Sequence, residues 1–118
     1  MTVGTRVRDA RPVCPVARAA RLLGDTWTLL ILRDLASGAQ RFSELEQSTG
    51  ISPRVLSGRL KELERQSLLN RQIFASVPPR VEYSLTEKGE AALPLIEALR
   101  QYGDTWLSVD ADDECLES

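Results

Sequence analysis

Arg54, Gly58, Lys61 and Arg65 fall on one side of the segment ISPRVLSGRLKELERQ (51–66) when it is wound at about 100° per residue. Leu56, Leu60 and Leu63 fall on the other side, with Val55 at its edge. A short helix that is apolar on one face and cationic on the other buries its leucines in a small domain and offers its cations to a polyanion. An ordinary surface helix with solvated Arg and Lys is the alternative reading. Just upstream, FSELEQSTG is a second short helical pattern that ends in glycine. Two short helices joined through Gly-Ile-Ser-Pro read as a helix-turn-helix whose second member faces a major groove.

Other chemistry is sparse. The chain has two cysteines, Cys14 and Cys115, and no histidine. Two distant cysteines do not make a zinc site, and no CxxC is present. Without histidine the commonest general base and metal ligand is missing. There is no glycine-rich phosphate loop and no nucleophile elbow. The expectation is a non-enzyme without metal or cofactor. Cys14 stands at the start of a predicted helix, where amide donors and the helix dipole favour thiolate, with Arg11 and Arg18 nearby. Such a thiol could oxidise and pair with a partner chain; a buried small hydrophobe is the alternative. Cys115 lies among acidic residues, which disfavour thiolate, yet it could act as a resolving partner.

The elements that would position these groups are legible. Pro15 to Leu23 reads as a first helix stopped by Gly24, and Asp25 or Thr26 caps a mostly apolar second helix, WTLLILRDLAS, ended by Gly38. Ser43 is expected to cap ELEQST, with Glu46 completing a capping box. Ser52 caps the cationic helix, with Pro53 at its first position. LLNRQIF and VEYSL read as strands joined by ASVPPR, whose two prolines exclude helix or central strand. Arg71 and Arg80 fall on the limbs or tip of this hairpin. Thr86 is expected to cap a long last helix, about 87–107, that Pro94 bends or weakens. Leu95, Leu99, Tyr102 and Trp106 recur along it at helical spacing, a wider stripe than one small domain needs.

The 118 residues suit one domain: a flexible arm (1–12), a folded body (13–107) and an acidic tail (108–118). The fold class is mainly α with a small β-hairpin (α+β), a winged helix-turn-helix whose C-terminal helix has a surplus apolar face that suits a homodimer. The formal charge of −2 conceals an asymmetry. Residues 1–88 carry 14 basic and 9 acidic side chains, a net of +5, and residues 89–118 carry 1 basic and 8 acidic, a net of −7. No apolar run approaches the roughly 20 residues of a membrane helix, and no signal or transit pattern opens the chain, so a cytoplasmic protein is expected.

Several strings, taken together, resemble one family. Cys14-Pro-Val, Leu23-Gly-Asp-Thr-Trp27-Thr-Leu-Leu-Ile-Leu-Arg33, Arg41-Phe-Ser-Glu-Leu45, Gly50-Ile-Ser-Pro-Arg-Val-Leu-Ser57, Arg59-Leu-Lys-Glu-Leu63 and Val77-Pro-Pro-Arg-Val-Glu-Tyr-Ser-Leu-Thr86 are similar to the HxlR-type bacterial transcriptional regulators, relatives of the MarR group. The resemblance implies a homodimeric, winged, DNA-binding regulator whose N- and C-terminal helices make the dimer. It also implies, for some members, sensing of oxidants or electrophiles through the cysteine of the CP motif, Cys14 here. Two positions depart from the pattern. Gly58 stands where such helices usually carry a longer polar residue, and it can offer no side chain to a base. Ser67 stands where the turn after the helix usually carries glycine; a left-handed backbone there would strain serine.

On this reading Arg54 and Lys61 reach base edges of duplex DNA, in a palindromic operator, and Ser52, Ser57, Arg59 and Arg65 hold phosphates or border the groove. Arg59 lies nearer the apolar side, so a structural salt bridge competes. Arg41 and Ser43, at the helix that crosses the backbone, and Arg80, beside the wing, add phosphate contacts. Val16, Leu95, Leu99, Tyr102 and Trp106 form the expected dimer interface, and Cys14 the redox site. Two alternatives stand beside it: a winged-helix protein-interaction module, and a regulator switched by a small-molecule ligand. Trp27, Tyr102 and Trp106 could border an effector cavity, though packing explains them more simply.

Overall fold

The computed structural model describes residues 14–107 and 109; the arm (1–12), Cys115 and all of the acidic tail except Val109 lie outside the described residues. Among the described residues six helices and three strands follow in the order α1 (Pro15–Leu23), α2 (Thr26–Leu35), β1 (Gln40–Arg41), α3 (Phe42–Thr49), α4 (Pro53–Arg65), β2 (Leu69–Phe74), β3 (Arg80–Leu85), α5 (Glu87–Glu90) and α6 (Leu93–Trp106). The core is built from Ile31, Leu32 and Leu35 of α2, Leu45 of α3, Leu56, Leu60 and Leu63 of α4, and Ile51, Leu68, Leu69 and Tyr83 around them. The three leucines predicted for the inner face of α4 are therefore all buried, and that burial fixes which face of α4 looks outward.

The sheet has three strands, one more than the expected hairpin. β2 and β3 pair antiparallel with Leu69 opposite Leu85 and Arg71 opposite Tyr83. The short β1 adds to the other edge of β3, with Gln40 opposite Tyr83 and Arg41 opposite Glu82. A two-residue strand is too short to show alternation, which is why it carries no sequence signal.

Two expectations are corrected. Ser43 does not cap α3: the helix begins two residues earlier than expected, at Phe42, and Arg41 is its N-cap. Arg41 belongs to β1, so its extended backbone already has the conformation an N-cap requires. The Glu44 carboxylate accepts the Arg41 N–H at 2.7 Å. The helix over 87–107 is two helices, α5 and α6, with Ala91 and Ala92 between them. Pro94 is the cause: it has no N–H to continue a helix and sits in the first turn of α6, where none is required.

The turn leaving α4 is a Schellman motif. Leu68 N–H donates to Leu63 O at 2.9 Å and Ser67 N–H to Glu64 O at 3.0 Å, with Leu63 and Leu68 both buried. Ser67 occupies the left-handed position, φ 69°, so the strain that depended on this geometry is present. Thr86 ties the turn to α5. Its hydroxyl donates to Ser67 O at 2.6 Å and accepts from Gly89 N–H at 3.0 Å, and its N–H donates to Leu68 O at 3.0 Å. Gly89 packs so closely that a Cβ would fall 2.3 Å from Leu68 O.

Candidate nucleic-acid interface

Ser52 opens α4 as expected: its hydroxyl accepts Val55 N–H at 3.4 Å, and Pro53 fills the first turn. The helix then presents Arg54, Gly58 and Lys61 to solvent, with Ser57 half-buried beside them. Among the described residues neither Arg54 nor Lys61 forms an ion pair or hydrogen bond. An unpaired cation on a helix surface keeps its full charge available to an incoming anion.

The remaining cations of α4 are engaged. Arg59 turns toward the N-terminus of α2, where its Nε and Nη2 donate to the Asp25 carboxylate at 2.8 and 3.1 Å. Asp25 is the N-cap of α2 and also accepts Thr28 N–H at 3.0 Å. The Arg59 guanidinium, aided by the Thr28 bonds against a smaller effect of burial, holds the Asp25 carboxyl at about 2. Of the two roles weighed for Arg59, the geometry displays the structural one. Arg65 donates to Glu62 one turn back, at 3.1 and 2.8 Å, in an exposed pair that also lowers the pKa of Glu62. Arg80 donates to Glu82 at 2.9 Å and lies 4.5 Å over the Phe74 ring.

Between α4 and the sheet lies a concavity of about 380 Å³ lined by Phe42, Ser57, Lys61, Glu64, Arg71 and Tyr83. Its cations are Lys61 from the helix and Arg71 from the wing strand. Arg71 is exposed and has no partner among the described residues; sequence reasoning singles out Arg80 instead. A signal for it existed: counting in twos from the buried Leu69 puts Arg71 on the strand face that leans on α4. Arg41 and Ser43 are exposed at the start of α3.

Cys14 is exposed at the N-cap of α1, its side chain making no capping bond. Neither α1 nor α6 buries a single residue. Val16 is 76% exposed, Tyr102 60% and Trp106 70%, with Leu95 and Leu99 also on the surface. Ile96 alone of the α6 side chains packs against the core cluster, whereas Trp27 packs on it from α2. None of Trp27, Tyr102 and Trp106 lines the concavity between α4 and the sheet. The described residues contain no group of three or more potential metal ligands and no helix long and apolar enough to cross a membrane.

Comparison with known proteins agrees with this geometry. Residues 22–111 match the family described as HxlR-like helix-turn-helix. An HTH-type transcriptional regulator of Methanothermobacter thermautotrophicus is 41% identical over 101 residues, covering 85% of this chain and 77% of the relative. The redox regulator HypR in its oxidised form superposes with a TM-score of 0.77 at 32% identity, covering 81% of this chain and 100% of HypR. The reduced form of the transcriptional regulator YodB from Bacillus subtilis superposes with a TM-score of 0.69 at 35% identity, covering 82% and 97%.

Proposed function

The chain belongs to the HxlR-like helix-turn-helix family of transcriptional regulators, and from that premise we propose that it binds operator DNA as a homodimer whose state is set by oxidation of Cys14. The observation that carries the DNA reading is the sorting of charges on α4. Arg59 and Arg65 are paired within the chain, while Arg54 and Lys61 are left exposed and unpaired beside Ser57. Arg54 and Lys61 reach base edges, with guanine the natural partner of Arg54. Ser52, Ser57 and Arg65 border the groove, and Arg41, Ser43, Arg71 and Arg80 supply backbone contacts from α3 and the wing. The operator is palindromic, with half-sites about 34–36 Å apart for a two-fold dimer.

The exposed apolar stripe of α6, together with Val16 of α1, supports the homodimer. An unburied face of this kind on two terminal helices is covered most simply by a second copy. A cytoplasmic location goes with this role.

Support for the thiol switch comes from Cys14 being exposed at the head of a dimerisation helix and from the likeness to HypR, a redox regulator. A peroxide transfers one oxygen to the Cys14 sulfur, leaving as its alcohol or water. The sulfenic acid then condenses with a thiol of the partner protomer, releasing water and closing a disulfide. The bond reorients the two α4 helices relative to one another.

The test is a salt-dependent titration against duplexes selected from random DNA, using reduced protein, oxidised protein and Cys14→Ser. Specific binding that oxidation abolishes only when Cys14 is present supports the whole reading. Specific binding indifferent to oxidant removes the switch and favours a ligand-controlled regulator. Binding no better than background in every state removes the DNA reading and favours an interaction module.

A further inference from the structure

Six glycines lie among the described residues, and four have a reason within the chain. A Cβ on Gly24 or Gly89 would fall 2.5 or 2.3 Å from a backbone oxygen, and Gly38 and Gly50 have φ of 132° and 76°. Gly58 and Gly103 have neither: both sit in helix interiors, and beyond its own helix backbone and chain neighbours a Cβ on either meets no heavy atom within 4 Å. Glycine is the weakest helix former after proline, so the fold by itself favours alanine at both positions. Gly103 lies on α6 between Leu99 and Trp106, on the surface read above as the dimer contact. Gly58 lies on α4 between Arg54 and Lys61, one turn from each.

We infer that Gly58 is where the recognition helix comes closest to DNA, and that it meets a thymine methyl group in the major groove. The inference rests on the DNA reading above and deepens it. Mid-helix N–H and C=O groups are already bonded along the helix, so the surface at a glycine there offers an incoming base little beyond Cα–H. The apolar group on the major-groove floor is the thymine 5-methyl. Without a Cβ the helix seats deeper by about the width of a methyl group, and that depth sets the reach of Arg54, Ser57 and Lys61 to the flanking bases. A side chain at this position would hold all three away from the groove.

Gly58→Ala separates this from a glycine of no consequence, because stability and recognition move in opposite directions. The thermal midpoint should rise by about 4–8 °C. Affinity for a duplex selected with the unaltered protein should fall about tenfold, with binding to unrelated duplex unchanged. Replacing thymine by uracil throughout the selected half-sites should cost the unaltered protein about fourfold and the variant nothing further. An alanine variant that binds the selected duplex within about twofold of the unaltered protein overturns the inference. A variant whose midpoint does not rise overturns its premise that the position is unoccupied within the fold. Loss of affinity in Gly58→Ala without a uracil effect overturns the thymine assignment. If the unaltered protein selects no duplex, the DNA reading fails, an outcome distinct from all of these.

Discussion

Arg59 and Asp25 are joined by two hydrogen bonds, Nε to Oδ2 at 2.8 Å and Nη2 to Oδ1 at 3.1 Å, across 34 residues of sequence. The pair fastens the centre of α4 to the first turn of α2. A guanidinium fork on a carboxylate fixes direction as well as distance. The orientation of α4 is thereby referred to the junction that follows α1.

Replacing Asp25 by alanine removes both a helix cap and the partner of Arg59. The expected loss is about 1–2 kcal/mol, most of it from the cap. Both side chains of the pair are more than a third exposed, so a double-mutant cycle with Arg59→Ala should return a coupling of only about 0.5–1 kcal/mol. Chemical denaturation of the four proteins checks both figures. A coupling indistinguishable from zero would mean that the bridge does not orient α4.

The same pair carries a pH signature. The folded pKa of Asp25, about 2, lies below the roughly 3.9 of an unperturbed aspartate. Its contribution is therefore complete above about pH 4 and is lost as the pH falls through the folded value. Asp25→Asn should lower stability at pH 7, and its deficit against the unaltered protein should shrink between about pH 4 and 2. Parallel stability curves for the two proteins over that window would contradict the assignment.

Arg54 and Lys61 differ from Arg59 in having no partner among the described residues. Neutralising either should cost about 1–3 kcal/mol of binding to the selected duplex and relax specificity at the base it contacts, whereas neutralising a backbone contact such as Arg71 should flatten the log–log salt slope by about 1. Arg59→Ala should leave that slope nearly unchanged while lowering thermal stability. Binding isotherms at four or five salt concentrations separate the two behaviours.

Ser67 is the one non-glycine residue with positive φ among those described. Ser67→Gly relieves that strain and should raise stability by about 1 kcal/mol. Its side chain makes no hydrogen bond among the described residues, since the contact to Thr86 uses Ser67 O. A fall in the unfolding midpoint would show that the serine hydroxyl does something in the fold that its geometry does not reveal.

Leu99 and Trp106 lie on the exposed stripe of α6. Leu99→Asp combined with Trp106→Asp should convert a dimer to a monomer in sedimentation velocity while leaving the far-ultraviolet circular dichroism unchanged. Neither side chain contributes to the core, so the fold should survive. Retention of the dimer mass would place the contact elsewhere.

Most of the elements are legible from local sequence alone. The leucine spacing of 56, 60 and 63 fixed both the helix and its buried side, and Ser52-Pro53 and Gly50 fixed where it starts and what precedes it. Pro15, Gly24 and Asp25 marked the first two helices for similarly local reasons: a ring that fits a first turn, a residue that stops, a carboxylate that caps. Pro94 announced the break in the last helix, though not that two alanines would separate the pieces.

Which cations are free is settled only when the chain has folded. Helical position places Arg59 and Lys61 two residues apart on α4 but does not say that Asp25, 34 residues earlier, takes the first and leaves the second. Likewise Arg80 closes on Glu82 and Phe74 while Arg71 faces the helix, because strand register and not composition sets which limb leans on α4. The two-residue β1 and the shift of the α3 cap from Ser43 to Arg41 follow from pairing with β3, a contact some 40 residues distant. Local propensity acts over one or two turns of chain; charge pairing and sheet register act through space, between segments whose proximity exists only once the core has closed.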